Sequence, residues 1–147
     1  MINVEIVNME HRHVREVAFL ESKSFSMPWS EKAFDDVIDS DNYKYIVALV
    51  DGHVVGYAGM QHVLDEAEIT NIAVASDMKR LGIATKLLET LEEIGRRNNI
   101  KYIHLEVREG NKPARTLYEN QGFLVDGMRK NFYQKPTENA VLMTKML

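Results

Sequence analysis

Cysteine is absent from the 147 residues, which excludes disulfides, thiolate metal sites and a cysteine nucleophile. Long apolar runs are missing too. None approaches the ~20 residues a membrane-spanning helix requires, so no membrane association is expected. The first residues, Met1-Ile2-Asn3-Val4-Glu5, lack the basic stretch and apolar block of a secretory leader. The histidines (His11, His13, His53, His62 and His104) show no metal spacing such as His-Glu-x-x-His. No metal is therefore expected, and His11-x-His13 reads as a solvated surface feature. Basic charge is in deficit, with 18 Lys and Arg against 22 Asp and Glu and a net charge of −4. Tight nucleic-acid binding needs a clustered basic surface that displaces counterions, so nucleic acid is not an expected partner. A cytoplasmic monomer is the expectation.

No internal period, low-complexity stretch or long linker interrupts the chain, which reads as one domain over residues 1–147. Ile2, Val4 and Ile6 alternate with polar residues as in a first strand. Val14, Val17, Ala18 and Phe25 then recur at helical spacing, with Glu21 on the same stripe. Ser30 reads as the N-cap of a second short helix carrying Phe34, Val37 and Ile38. Residues 45–50 are apolar on both faces, as in a buried strand. Asp51-Gly52 is a hairpin turn signal, because both central positions need positive φ. A return strand over 53–63 and a further reversal near Asp65 complete an antiparallel meander ending near Val74. Ala84, Leu87, Leu88, Leu91, Ile94 and Gly95 then form a helical stripe, with Glu89, Glu92 and Glu93 read as outward. A strand over 100–107, a helix capped by Asn111 and closed by Gly122, and two final strands follow. The order β-α-α-β-β-β-α-β-α-β-β describes an α+β domain. Its sheet is mixed, since the strand–helix–strand crossover after Glu68 forces parallel neighbours.

Asn71-Ile72-Ala73-Val74 followed by Lys79-Arg80-Leu81-Gly82-Ile83-Ala84 places a basic, glycine-containing loop between a strand and a long helix. Helix-terminal N–H groups point outward unpaired and bind phosphate at such a turn. Neither Gly-Lys-Ser/Thr nor Gly-x-Gly-x-x-Gly is present. The loop resembles the pyrophosphate-binding loop of the GNAT N-acetyltransferase superfamily, with Lys79 where Arg or Gln is usual. Three further segments narrow the resemblance: Glu21-x-x-x-Phe25-x-x-Pro28-Trp29-Ser30, Glu68 through Val74, and Leu105-Glu106-Val107-Arg108 through Leu117-Tyr118-Glu119-Asn120-Gln121-Gly122-Phe123. Together they resemble the RimI-type branch, which acetylates the N-terminal alanine of a small-subunit ribosomal protein. The resemblance covers essentially the whole chain. It implies a three-layer GNAT fold, with a central, mostly antiparallel sheet of about seven strands flanked by about four helices. Departures are small: Gly110 precedes Asn111 where Ser is usual, Phe132-Tyr133 replaces a Tyr pair, and Asn139 stands where Asp is common.

An α-amine with a pKa of about 7.7–8.0 is largely protonated at neutral pH and must lose a proton before it attacks a thioester. Glu106 is the candidate base. It shares a strand face with Tyr102 and His104, opposite Ile103, Leu105 and Val107. The same position equally suits a strand-end glutamate paired with Arg108 or a lysine; the resemblance carries the general base here. Tyr118 is the candidate acid for the departing thiolate, although a helical tyrosine on its stripe is also a common core residue.

The resemblance further implies acetyl-coenzyme A as co-substrate, bound by Ile72, Ala73 and Val74, by Lys79, Arg80, Leu81, Gly82, Ile83, Ala84 and Thr85, and by Asn111. Pro28, Trp29 and Tyr133 would shape a groove for the acceptor protein's N-terminus, with Glu21 and Glu68 as acidic contacts. Trp29 reads as readily as a hydrophobic lid, and Glu21 as a buried partner of Arg15 or Lys23. Two other readings compete: a GNAT enzyme acting on a lysine or small-molecule amine, and a coenzyme A-binding sensor without turnover. The pairing of Glu106 with Tyr118 argues against the sensor, which needs neither.

Overall fold

The computed structural model describes residues 2–147; Met1, part of the N-terminal stretch read above, lies outside them. The elements run β1 (Glu5–Asn8), a 3-10 turn (His11–His13), α1 (Val14–Ser24), α2 (Glu31–Ile38), β2 (Tyr43–Val50), β3 (His53–Val63) and β4 (Glu66–Val74). A second 3-10 turn (Ser76–Met78), α3 (Ile83–Arg97), β5 (Tyr102–Arg108), α4 (Lys112–Asn120), β6 (Leu124–Tyr133) and β7 (Glu138–Met146) complete it. The order matches that read from the sequence, except that β1 begins three residues later than Ile2. Among the described residues the strands form one seven-stranded sheet in the order β1-β2-β3-β4-β5-β7-β6. No helix among these residues is long and apolar enough to cross a membrane.

Local signals set most boundaries. Asp51 and Gly52 both take positive φ, at 51° and 80°, as their hairpin turn demands. Ser30 caps α2 by accepting from Ala33 N at 3.1 Å, and Asn111 caps α4 by accepting from Ala114 N at 3.2 Å. Gly122 follows α4 at φ 92°.

The core lies on both sheet faces, because β2 is apolar on both. Ile46 and Ala48 pack with Leu87, Leu88 and Leu91 of α3. Tyr45, Val47 and Leu49 pack with Val17 and Leu20 of α1 and Phe34 of α2. Two surface assignments are corrected. Glu92 is 3% exposed, because Lys145 of β7 reaches over to its carboxylate at 2.6 Å. His13 is also buried, its Nδ1 accepting from Glu10 N at 3.0 Å. His11 stays exposed, between Asp35 and Asp39 at 2.8 and 2.9 Å.

One interruption of the sheet positions the chemistry. β4 and β5 pair in parallel only at Glu66↔Tyr102, Ala67↔Ile103 and Glu68↔His104. Beyond that point β4 stays with β3 and β5 with β7, so the two strands part toward their C-terminal ends. Their divergence opens a V-shaped cleft in the middle of the sheet. A bulge at Thr70, between the pairs Met60↔Ile69 and Gly59↔Asn71, accompanies it. It inverts the alternation of β4, so that Ile69 before it and Ile72 after it face the same core.

Candidate active site

One wall of the cleft is β4. Ala75 N donates to Val55 O at 2.8 Å, which sets the antiparallel alternation with β3. Ala73 and Asn71 therefore direct their peptide groups to β3, and Ile72 and Val74 turn theirs toward the open edge. Beyond the strand, Lys79, Arg80, Leu81 and Gly82 are all exposed. Gly82 is the N-cap of α3 at φ 77°, supplies no side-chain cap, and has open space where a Cβ would stand. The first N–H groups of α3, at Ile83, Ala84 and Thr85, thus lack a side-chain partner at the positive end of a 15-residue helix.

The other wall is β5. Its alternating burial puts Ile103, Leu105 and Val107 in the core and Tyr102, His104, Glu106 and Arg108 on the opposite face. Glu106 lies two residues past the last β4–β5 pair, beside the point of divergence. Its Oε2 is buried without a hydrogen-bond partner. Burial raises its pKa, and the neighbouring Glu68 carboxyl raises it further, against the lowering influence of Arg129. The alternative pairing of Glu106 with Arg108 does not form: Arg108 turns to Glu138 at 3.2 Å.

Tyr118 is 5% exposed on α4, edge-on to Phe123 with ring centroids 5.7 Å apart. Its hydroxyl makes no hydrogen bond among the described residues. Burial raises its pKa, and Tyr133 adds to the rise. The phenol therefore keeps its proton at neutral pH and is available as a donor. Tyr133 itself is pushed up to about 12, first by burial and then by Glu106. Glu106, Tyr133 and Tyr118 thus share one electrostatic neighbourhood, with exposed Glu68 at its rim.

The acceptor-side expectations divide. Pro28 is exposed on the α1–α2 loop, while the Trp29 ring packs over Phe34 and Tyr45 at 5.3 and 6.0 Å. Trp29 is thereby anchored as a lid on the core. Glu21 is 2% exposed, and neither Arg15 nor Lys23 is its partner. Its carboxyl accepts from Trp29 N at 2.8 Å, from Asn71 Nδ2 at 3.1 and 3.3 Å, and from the Tyr57 hydroxyl. The expected acidic contact at Glu21 is therefore replaced by an internal network joining α1, β3, β4 and the α1–α2 loop. The sequence reading missed Arg108 as an independent member of the site. Its two-residue offset from Glu106 was the available signal, because that offset places both side chains on one strand face.

The model of the acetyltransferase (GNAT) family matches residues 14–123. The chain belongs to that family. A [ribosomal protein bS18]-alanine N-acetyltransferase of Escherichia coli (strain K12) is 36% identical over 128 residues, covering 84% of each chain. A protein of the same name from Haemophilus influenzae is 36% identical over 129 residues, covering 84% of this chain and 86% of its own. The crystal structure of the ribosomal-protein-S18-alanine N-acetyltransferase from Escherichia coli superposes with a TM-score of 0.90 at 32% identity. It covers 98% of this chain and 94% of that one. This GNAT chain is accordingly an N-acetyltransferase, and the acetyl donor of its family is acetyl-coenzyme A. The residues fit that donor. The Ile72 and Val74 peptide edge offers partners to an amide-bearing arm, and the α3 N-terminus with Lys79 and Arg80 offers N–H groups and charge to a pyrophosphate.

Proposed function

We propose that this GNAT enzyme acetylates the α-amine at the N-terminus of a protein, and that its acceptor is the N-terminal alanine of a small-subunit ribosomal protein. The observation that carries the acceptor is the 36% identity, over 84% of each chain, to the bS18-alanine enzyme of E. coli. The chemistry rests on Glu106, whose unpartnered Oε2 lies beside the divergence of β4 and β5.

Acetyl-coenzyme A, when bound, supplies an activated acetyl thioester. Glu106 takes the excess proton of the arriving ammonium, directly or through water, and its raised pKa suits that transfer. The Tyr118 hydroxyl gives a proton or a hydrogen bond to the departing sulfur. Peptide N–H groups of Ile72 and Val74 hold the arm and polarise the carbonyl. Lys79, Arg80 and Leu81, with Gly82, Ile83, Ala84 and Thr85 at the α3 terminus, hold the pyrophosphate. Asn111 keeps its Nδ2 for the donor while its Oδ1 caps α4. Pro28, Tyr133 and Glu68 line the approach of the peptide.

The test is coenzyme A release with three peptides: a free Ala-Arg N-terminus of ribosomal type, its N-blocked form, and an internal-lysine peptide. Turnover is expected with the free N-terminus alone; turnover of the blocked lysine peptide would reassign the acceptor. Tyr118→Phe is expected to slow the chemical step by about 10²-fold, within the usual range for a general acid. Thermal stability should barely move, because the hydroxyl has no protein partner to lose. Full activity in single-turnover kinetics would reduce Tyr118 to a packing partner of Phe123.

A further inference from the structure

Two segments carry or adjoin the residues proposed for the acceptor: the α1–α2 loop, residues 25–30, with Pro28, and the β6–β7 turn, residues 134–137, next to Tyr133. They are far apart in sequence, yet they meet: Ser26 Oγ donates to Gln134 O at 3.4 Å, and the Arg108 side chain touches both. The Arg108 guanidinium donates to Gln134 O at 2.8 Å and to Pro136 O at 3.0 Å. It also donates to Glu138 Oε1 at 3.2 Å, and to Ser26 Oγ of the α1–α2 loop at 3.3 Å. Its carbon centre stands 4.5 Å from the centre of the Tyr133 ring. The second oxygen of Glu138 accepts from Gly110 N at 2.6 Å, which fixes the carboxylate that receives Arg108. A Cβ at Gly110 would stand 2.7 Å from that oxygen, so a side chain there would shift the Glu138 carboxylate.

A planar cation with five donors in a fixed fork can satisfy these four spread acceptors at once, whereas a lysine offers three donors from a single atom. Arg108 also shares the strand face of Glu106, two residues away, so the base and the tie move as one rigid piece. We propose that Arg108 is a positioning residue. It ties the α1–α2 loop to the β6–β7 turn and thereby sets the width of the acceptor groove and the orientation of Tyr133 relative to Glu106. It does not touch the reacting atoms. Its action is on the acceptor's pose, and misplacement of a bound amine is costly in rate. The acetyl-donor side of the cleft, on β4 and α3, is left unaffected.

This inference rests on the proposed acceptor site only for its kinetic readout. In the full chain, Arg108→Gln is expected to raise the KM of the Ala-Arg peptide about tenfold or more, because charge-assisted hydrogen bonds are the strong ones. The KM of acetyl-coenzyme A should stay within about twofold of wild type, and Ser26→Ala should shift the peptide KM in the same direction by less. Arg108→Lys should fail to restore it. Hydrogen exchange supplies a readout that needs no acceptor: residues 25–29 and 134–138 should lose protection together in Arg108→Gln, with α3 unchanged. Equal rises in both KM values, or a loss of protection confined to the β6–β7 turn, would overturn the proposal. If wild type turned over none of the peptides, the acceptor assignment would fall, and the exchange result would still decide the role of Arg108.

Discussion

Replacing Glu106 with Gln is expected to lower kcat/KM for the peptide acceptor by about 10²–10⁴-fold, the usual contribution of a positioned general base. Binding of acetyl-coenzyme A should be unchanged. The carboxyl of Glu106 lies on the face of β5 opposite the core, while the peptide edge and helix terminus proposed for the donor belong to β4 and α3. The pH dependence makes the assignment specific. A base works in its deprotonated form, so the rate should fall as pH drops through the pKa of Glu106. Burial and Glu68 both raise that pKa, which moves the acidic limb upward from the ordinary carboxylate range. Glu106→Gln should abolish this limb and leave the one belonging to the acceptor amine, near its own pKa of about 7.7–8.0. Glu68→Gln should keep a limb but move it to lower pH, since it removes a neighbour that disfavours the charged form. A profile of kcat/KM from mildly acid to mildly alkaline pH for the three proteins separates these outcomes. An intact acidic limb in Glu106→Gln would remove Glu106 as the base.

What could be read from the sequence was mostly what is decided within a few residues of itself. Asp51-Gly52, Ser30, Asn111 and Gly122 each carry a local conformational or capping requirement, and each stands where that requirement places it. The strand, basic turn and helix start of residues 71–85 were legible for the same reason, since they are consecutive. The failures are non-local. Glu92 sits on the outward side of its helical stripe by periodicity, and is buried because Lys145, 53 residues later, folds over it. The extent of the β4–β5 pairing is settled between strands far apart in sequence, and the Thr70 bulge shows in β4 only as a break in alternation between Ile69 and Ile72. Arg108 could be placed on the face of Glu106 by alternation. Its partners at Ser26, Gln134, Pro136 and Glu138 come from two distant turns that only the closed sheet brings together.

Glu21 is the sharpest case of this kind, and truncating it should produce the largest loss of stability among the site variants. A carboxyl on an apolar helical stripe invites a functional reading, yet its oxygens are already engaged by the Tyr57 hydroxyl, Asn71 Nδ2 and Trp29 N. Asn71 is in turn fixed by the Tyr45 hydroxyl, 2.6 Å from its Oδ1. The Tyr45 ring can reach it only because the residue opposite is Gly59, where any Cβ would fall 2.2 Å from the ring. Glu21→Ala leaves three donors without an acceptor, two of them buried and Trp29 N half-buried, and each costs about 1–3 kcal/mol. Water entering the vacated space offsets part of that sum, so a loss of about 3–5 kcal/mol is expected. For a chain of this size it corresponds to a fall in Tm of roughly 10–16 °C. Glu21→Gln keeps the shape and one acceptor oxygen, and should lose about a third as much by the same reasoning. Thermal and denaturant unfolding of the two variants measure this directly. Because Asn71 lies on β4 beside Ile72, the network also holds the bulged segment and the open strand edge proposed to receive the donor. Glu21→Ala should therefore weaken binding of acetyl-coenzyme A at temperatures where it remains folded. A variant with wild-type stability and an unchanged donor affinity, but a raised peptide KM, would restore Glu21 as a contact for the acceptor.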